Sequence, residues 1–456
     1  MSKNIRKFTS QAEYDAYKAV DGWDYPSVSF VETDIDSQVH YNNEFIMRWN
    51  TADTSKTPSF YGEISHDEFK DWVEHAAWAC EIPRNSTSAE DVAFYPTVGT
   101  TNTVSSWTDS NFHQNDTAYL QMAAIENINV GCFQDTSRGI KEIRFNFDKG
   151  CPDGFHKWFK YGTTAFTATD GVIDIANHKY FKNTSKLFGR FDVAPITSTT
   201  QASTGAEGID VRAGSSQGTK GNMSDYTLEG GYSKGNWNSN ALLAGIKATN
   251  ANLLELTYWE YYVMTMIFCA YYGTFDVQSK HVGMISGYDH GQAGDFINGT
   301  TEDTLFTAQG EVSTGYSTNT AYRFMHLENP LHGKQWIWGA GWKGNNGTYY
   351  MTFDDKKANL AATMDNSNSD VSGTYLTNMS SSYVSDIDVY GVPTEVAGST
   401  TTGFYDASWS DTGSSRVAYL GGASSDGDRC GGVARHFADA ASIADWLGRG
   451  RVTMNL

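Results

Sequence analysis

The sequence predicts a β-rich α+β protein that contains more than one domain. Its 456 residues exceed the length of one ordinary domain, so two or three are expected. Aromatic residues make up 14% of the chain, which a disordered acidic chain would not contain. Charged residues make up only 19%, while Gly, Ser, Thr and Asn are abundant between short alternating segments. This composition is typical of a protein with many strands, many turns and polar outer surfaces.

The net charge excludes some classes of partner. The chain has 33 Lys and Arg against 53 Asp and Glu, which gives a net charge of −20. Such a surface repels nucleic-acid phosphates and anionic membranes. The sequence therefore predicts that nucleic acid is not a partner and that no membrane insertion occurs.

The cysteines predict neither a disulfide framework nor a zinc site. Their number is odd and no two have C-x-x-C spacing. The five are Cys80, Cys132, Cys151, Cys269 and Cys430. Buried free thiols suit a protein that folds in a reducing cytoplasm. The first residues have no apolar segment of the signal-peptide kind, so release by lysis is expected.

Residues 1–50 predict a small separate module. Ser10 and Glu13 have capping-box spacing before a short helix. Two short strands are predicted at 27–31 and 38–41, on either side of an acidic turn. Two interpretations stay open for this module: an attachment segment that docks onto other proteins, or an extension that packs on its own domain.

A β-sandwich with one packed helix is predicted over 51–196. A capping box of the Ser-x-x-Glu type begins at Ser65 and predicts a helix over 66–80. Alternating segments at 140–147 and 171–175 predict strands. The apolar residues of the helix recur at spacings of three and four, and they are Phe69, Trp72, Val73, Ala76 and Cys80.

The strongest helix signal covers 252–273. Its apolar residues recur at helical spacing, and Thr249 or Asn250 can cap it. The apolar run is long enough to suggest a membrane span, but Glu255 and Glu260 lie inside it. The sequence therefore predicts a buried amphipathic helix.

A Gly- and Trp-rich module is predicted over 245–456, after a Ser/Thr/Gly-rich loop or linker at 197–244. Its markers are Gly-Lys-Gln-Trp-Ile-Trp at 333–338, two glycines at 421–422 and the ending Gly-Arg-Gly-Arg at 448–451. The glycines permit close backbone approach and positive φ. This order resembles the C-type-lectin-like domain at the C-terminus of tailed-phage fibre and tail proteins. It is also similar to the formylglycine-generating-enzyme branch of that fold.

The opening residues 1–50 resemble the N-terminal segments of structural proteins from gut Bacteroidales phages of the crAss-like group. The two resemblances imply a virion protein with a docking module, a β-sandwich middle domain and a C-type-lectin-like domain. They imply a homotrimer that is exposed on the virion, is assembled in the host cytoplasm and contacts other virion proteins through 1–50. They also imply a fibre, spike or decoration that binds a host-surface glycan or protein, with no cofactor.

A polar loop beside two glycine pairs is the predicted ligand site. In lectin-like phage receptor-binding proteins this stretch forms the exposed binding surface. Here the pairs at 421–422 and 431–432 hold the loop at both ends, which favours a ligand surface. A solvated turn is the alternative. The predicted ligand-binding residues are Ser424, Ser425, Asp426, Asp428, Arg429, Arg435, His436 and Phe437.

Three further groups of residues have two interpretations each. Trp336 and Trp338, two positions apart on one predicted strand, are expected in the core rather than as a sugar-stacking platform. The Glu-Asn-Pro segment at 328–330 holds residue types that ligate Ca²⁺, although a cap that positions the tryptophans is favoured. His326 and His332 could share a metal, but no third ligand is identifiable.

An enzyme is not expected. The formylglycine-generating enzymes need two active-site cysteines in this domain, and only Cys430 lies near the right place. A G-x-S-x-G match at 214–218 lies in a Gly/Ser-rich stretch with no buried strand before it. The second hypothesis is a purely structural capsid or tail decoration without receptor binding. The third is a polysaccharide depolymerase, although the sequence lacks the fixed period of a β-helix.

Overall fold

In the computed structural model, β-sheets pack around a buried helix, and the predicted β-rich class is confirmed. None of the helices within the described residues has the length and apolar character needed to cross a bilayer. The structure describes residues 43–94, 116–148, 150–152, 154–159, 185–195, 209–212, 239–283, 301, 308–313, 319–332, 336–345, 348–351, 362–363, 382–387, 390–410, 416–437 and 448–454.

The elements of this part of the chain are mostly short strands. The helices are α1 (His66–His75), α2 (Ser239–Thr249) and α3 (Tyr258–Tyr272). The strands are β1 (Glu44–Asn50), β2 (Ser59–Gly62), β3 (Ala77–Pro83), β4 (Ala93–Phe94), β5 (Tyr119–Glu126), β6 (Asn129–Asp135), β7 (Ile140–Asn146), β8 (Phe155–Lys157), β9 (Ser185–Gly189), β10 (Ala194–Pro195), β11 (Ile209–Asp210), β12 (Leu253–Glu255), β13 (Gly310–Ser313), β14 (Thr320–Phe324), β15 (Leu327–Glu328), β16 (Trp336–Asn345), β17 (Thr348–Met351), β18 (Ala362–Thr363), β19 (Ser382–Tyr383), β20 (Asp386–Ile387), β21 (Pro393–Glu395), β22 (Ala407–Ser410), β23 (Arg416–Leu420), β24 (Arg435–Phe437), β25 (Gly448–Arg449) and β26 (Val452–Met454).

One sheet includes a strand from the predicted docking module. Its order is β2-β1-β7-β6-β8, and β1 lies between β2 and β7 with antiparallel pairing on both sides. The prediction that 1–50 forms a separate module is therefore corrected for 44–50, because these residues complete a sheet of the main body. Residues 1–42, with the helix and hairpin predicted there, lie outside the described residues. Alternate side chains of β1 face the apolar core, namely Phe45, Met47 and Trp49.

A second sheet joins the two regions that the sequence predicts as separate domains. Its order is β12-β26-β9-β5-β3-β4. Thr453 in β26 pairs with Leu254 on one side and with Phe188 on the other. The boundary predicted at 197–244 is corrected accordingly, since backbone hydrogen bonds connect strands from before and after it.

A third sheet carries the candidate site. Its order is β18-β17-β16-β23-β24-β22-β19, and β25 lies parallel to β16. β22 and β24 are parallel to each other, whereas β23 and β24 are antiparallel. Smaller ladders join β13-β14-β15, β10-β11 and β20-β21.

α3 is buried along most of its length because α1, β16 and β23 pack against it. The Thr257 hydroxyl accepts a hydrogen bond from Glu260 N (3.0 Å), and the Glu260 carboxylate accepts one from Thr257 N (2.9 Å). Gly273 ends the helix with φ 70°. The helix predicted at 252–273 starts later than expected, because β12 pairs with β26 before it. Its burial is all-round rather than amphipathic.

α1 begins at the predicted cap and ends earlier than predicted. The Ser65 hydroxyl accepts from Glu68 N (3.2 Å), and the Glu68 carboxylate accepts from Ser65 N (2.8 Å). The predicted continuation to residue 80 is wrong, because β3 pairs with β5 and contains Cys80. The strand predicted at 140–147 is confirmed as β7, whereas 171–175 lies outside the described residues. The buried side chains of α1 are Phe69, Trp72 and Val73.

Candidate ligand-binding site

The predicted loop is a short helical turn, Ser424–Arg429, which follows β23 and precedes β24. Its backbone has a kink at Gly427 (φ 61°, ψ −128°). Asp426 closes the turn: its backbone N donates to Ala423 O (2.8 Å), and its carboxylate accepts from Ala423 N (2.8 Å). The Asp426 carboxylate therefore stabilises the turn itself. The side chains of Ser424 and Ser425 lie outside the described part of the structure.

The turn is held at both ends by hydrogen bonds and by close backbone packing. Gln278 Nε2 donates to Gly427 O (3.1 Å) and also to Cys430 O. Cys430 Sγ donates to Ala423 O (2.8 Å) across the base of the turn. Gly421 has φ 90°, and a Cβ there would lie 1.9 Å from Leu331 O. A larger residue cannot replace this glycine without moving the backbone, so the turn has a fixed exit from β23.

Asp428 and Arg429 are the exposed charged residues of this turn. The Tyr383 hydroxyl, on β19, donates to Asp428 Oδ1 (3.0 Å). Burial, followed by this hydrogen bond, raises the pKa of Tyr383 to about 12, so the hydroxyl stays a neutral donor at pH 7. The turn therefore presents a carboxylate and a guanidinium to solvent beside the end of a sheet.

Arg435 and Phe437 do not belong to an exposed ligand face, and this part of the prediction is wrong. Arg435 is 0% exposed, and it donates to Gly432 O (2.7 Å) and Ala434 O (2.9 Å). Phe437 is 1% exposed and stacks on Trp342 with ring centroids 4.3 Å apart. Both side chains alternate toward the core from β24, and His436 between them points the other way.

His436 belongs to a row of aromatic residues that the sequence patterns do not predict. Trp409 on β22 pairs with His436 on β24, which pairs with Tyr419 on β23. The His436 ring lies 6.1 Å from the Trp409 ring and 5.7 Å from the Tyr419 ring, between centroids. In β22, Ala407 and Trp409 alternate with two serines, and this pattern could have indicated a strand with Trp409 on its less polar side. The pairing of three non-adjacent segments could not be read from the sequence.

The side chains of Trp336 and Trp338 lie outside the described part of the structure, so their assignment to the core stays a prediction. Their backbone is described: Trp336 pairs with Gly448, and Trp338 pairs with Tyr419. The Trp-Ile part of the first marker and the Gly-Arg ending thus meet in the parallel pairing of β16 with β25.

The Glu-Asn segment before these tryptophans uses its oxygens inside the protein. Glu328 Oε2 accepts from Thr301 N and from Thr301 Oγ1, both at 2.9 Å. Asn329 Oδ1 accepts from Tyr322 N (3.0 Å). This arrangement fits the capping interpretation of 328–330.

His326 and His332, for which the sequence offers no third metal ligand, are both buried and have different neighbours. His332 Nε2 is 2.8 Å from His281 O, and its Nδ1 is 3.1 Å from the Tyr322 hydroxyl. Burial lowers the pKa of His332 to about 3, and burial beside Arg323 lowers that of His326 well below its usual value. Within the described residues, no group of three or more His, Cys, Asp and Glu side chains could hold a metal ion.

The Gly-Arg-Gly-Arg ending forms a buried ion-pair network. Asp192 accepts from Arg449 (2.6 Å) and from Arg451 (2.8 Å) through its two carboxylate oxygens. Arg449 also donates to Asn329 O (3.0 Å), and Arg451 donates to Glu328 O (2.6 Å). The two arginines therefore join β15 and the end of β9 to the C-terminal strands, which is a structural role.

All five cysteines are free, and they differ in exposure. Cys80, Cys269 and Cys430 are buried as predicted, whereas Cys132 is half-buried and Cys151 is exposed. The Cys430 thiol is occupied by its contact with Ala423 O at the base of the turn.

No protein-family model matches this chain, and no curated protein matches it either.

Proposed function

We propose that this chain is a structural protein of a tailed-phage virion and that its 424–429 turn binds the host surface. The observation that carries the binding part of this proposal is the rigid mounting of an exposed polar turn, and the virion role rests on the resemblance of the two terminal regions to phage proteins. Gln278, Cys430 and Gly421 fix both ends of the turn, while Asp428 and Arg429 remain exposed. A turn that is ordered before binding loses less entropy when it binds a ligand.

Two features of the C-terminal region support the proposal that it is a C-type-lectin-like domain. Its first and last described strands, β12 and β26, pair with each other, so the region 253–454 closes on itself. α3 packs against β16 and β23, which fits a domain in which one helix lies against a sheet. In this proposal the module shares a sheet with the preceding region instead of forming an independent domain.

Docking and display complete the proposed function. The segment before β1 contacts other virion proteins, and the chain forms a homotrimer on the virion surface. Three copies of a weak site would raise the avidity for a host cell by about 10²–10⁴-fold if they engage together. No cofactor and no catalytic step are part of this proposal.

The test combines the composition of the particle with adsorption. Purified virions are analysed by mass spectrometry and by labelling with antibodies against the chain, and adsorption is measured for particles with Arg429→Ala. We expect the protein on the particle surface, and we expect slower adsorption of the variant with an unchanged melting temperature.

Other outcomes separate the alternatives. Normal adsorption of Arg429→Ala particles would favour a purely structural decoration. A fall in the viscosity of host polysaccharide after addition of the purified protein would favour a depolymerase. Virions that lack the protein would overturn the proposal.

A further inference from the structure

Four aromatic side chains share one face of the third sheet, and we call Tyr383, Trp409, His436 and Tyr419 the aromatic face. Trp409 pairs with His436, and His436 pairs with Tyr419, so the three lie side by side across β22, β24 and β23. Tyr383 pairs with Ala407, which is two residues before Trp409. Residues two apart on a strand point to the same side, so Tyr383 joins that side from β19.

The aromatic face is covered by apolar core at Tyr419 and partly open to solvent at Trp409, His436 and Tyr383. Trp409 packs against an apolar core cluster that also contains Tyr419. Trp409, His436 and Tyr383 are half-buried, while Tyr419 is 3% exposed. The rings of Trp409 and His436 are inclined by 32° to each other. A ring that packs on a core along one part of its surface is pre-positioned to contact a ligand along the part that stays open.

The exposed turn supplies charged groups at the edge of this face. The Tyr383 hydroxyl donates to Asp428 Oδ1 at 3.0 Å, so the turn and the aromatic face are in direct contact. Asp428 is a hydrogen-bond acceptor, and the neighbouring Arg429 is a fork of donors. The edge therefore offers a hydrogen-bond acceptor and a set of donors, and the charges of Asp428 and Arg429 cancel.

We propose that the aromatic face and the Asp428–Arg429 edge together bind a neutral pyranose unit of a host-surface glycan. Pyranose C–H groups contact the electron-rich faces of aromatic rings, while the sugar hydroxyls can donate to the carboxylate and accept from the guanidinium. This inference rests on the proposed receptor-binding function and names its ligand class.

Charge and size favour a neutral glycan over the other candidates. The chain carries a net charge of −20, which disfavours sialylated or sulfated polymers. A stable protein partner needs about 800 Å² from each side, much more than a few half-buried side chains provide. A single sugar ring needs only one or two aromatic rings and a few polar groups.

Saturation-transfer NMR on the full chain tests the proposal, with methyl glycosides of neutral hexoses and N-acetylhexosamines as probes. A sialylated and a sulfated saccharide are the anionic comparison. We expect at least one neutral probe to bind and the anionic ones to bind about tenfold more weakly or not at all. Trp409→Ala should weaken the neutral probe at least about tenfold, because the main ring contact is lost.

Two further variants distinguish a loss of binding from a loss of folding. Trp409→Phe retains a ring on the same core and should keep binding within about threefold, a small free-energy change. Arg429→Ala removes an exposed donor group and should weaken binding severalfold without changing the melting temperature. Equal binding by wild type and a folded Trp409→Ala protein would overturn the proposal, and so would exclusive binding of an anionic probe.

The same experiments separate this inference from the proposed function. If Arg429→Ala virions adsorb slowly but no saccharide binds, the receptor is a protein and the glycan proposal falls while the virion role stands. If a neutral probe binds but virions lack the protein, the glycan site stands and the virion role falls.

Discussion

Arg451 donates a hydrogen bond to Asp192 at 2.8 Å, although the two residues are 259 positions apart in the chain. Both side chains are buried, at 0% and 2% exposure. The contact fixes the C-terminal strand beside β9 in the second sheet. The C-terminal Gly-Arg-Gly-Arg segment therefore stabilises the fold and has no direct contact with the 424–429 turn among its described hydrogen bonds.

Replacing Asp192 by Asn should destabilise the protein strongly. Arg449 and Arg451 would lose their shared charge partner while remaining buried, which costs about 3–5 kcal/mol. The free energy of unfolding, measured by urea titration, checks this expectation. Asp71→Asn is the control, because Asp71 forms an exposed pair with His75 and its loss should leave stability nearly unchanged. Similar unfolding curves for both variants would contradict the assigned role of Asp192.

Gly421→Ala should destabilise the mounting of the 424–429 turn. The φ of 90° is unfavourable for alanine, and the new Cβ would lie 1.9 Å from Leu331 O. Backbone strain of this kind costs about 1–3 kcal/mol, and the clash adds to it. Thermal melting and saccharide binding are the measurements, and both should decrease. Gly150→Ala is the matched control, since a Cβ there has no neighbour within 4 Å.

Two truncations should behave differently at the N-terminus. Removal of 1–42 leaves β1 intact, and we expect a protein that is folded and melts cooperatively but fails to assemble onto virions. Removal of 1–50 also deletes β1, which pairs with β2 and β7 on its two sides. That variant should aggregate, because the deletion exposes the edges of both neighbours. Size-exclusion chromatography distinguishes the two, and equally folded truncations would show that β1 is dispensable.

Stability should fall as the pH falls from 7 to 5. His326 and His332 have lowered pKa values in the folded protein, so both stay neutral there, whereas in the unfolded chain they take up protons below about pH 6.5. The unfolded state then binds more protons, and each histidine contributes up to about 1.4 kcal/mol of lost stability per pH unit. Urea unfolding at pH 7, 6 and 5 measures the slope.

A histidine variant tests whether the buried histidines cause this dependence of stability on pH. His332→Gln should make the dependence shallower, because one buried imidazole no longer differs in proton uptake between the two states. His75→Gln, at a half-exposed helix position, is the comparison. An unchanged slope in the His332 variant would mean that other groups cause the pH dependence.

Local chemistry made several elements predictable from the sequence. The Ser65–Glu68 capping box starts α1 as the sequence predicts, because its hydrogen bonds join residues only three apart in the chain. Gly273 ends α3 at the last residue of the predicted span, since glycine adopts the left-handed conformation without a side-chain clash. β7 follows from its alternation, and the β-rich class follows from composition. Each of these features depends on residues that are close in the chain.

Tertiary structure alone decided the features that join distant segments. β12 became a strand because β26 satisfies its backbone hydrogen bonds, although its residues have the spacing of a helix. The sequence predicts Arg435 and Phe437 on the ligand face with His436. Because side chains alternate along a strand, these two instead point into the core beneath the third sheet. Trp409 lies beside His436 because β22 and β24 pair in a particular register. That register is fixed by the rest of the third sheet, which contains strands from distant parts of the chain. Such contacts form because they bury apolar area and satisfy backbone hydrogen bonds across the whole fold. A short stretch of sequence does not contain the distant partners that decide them.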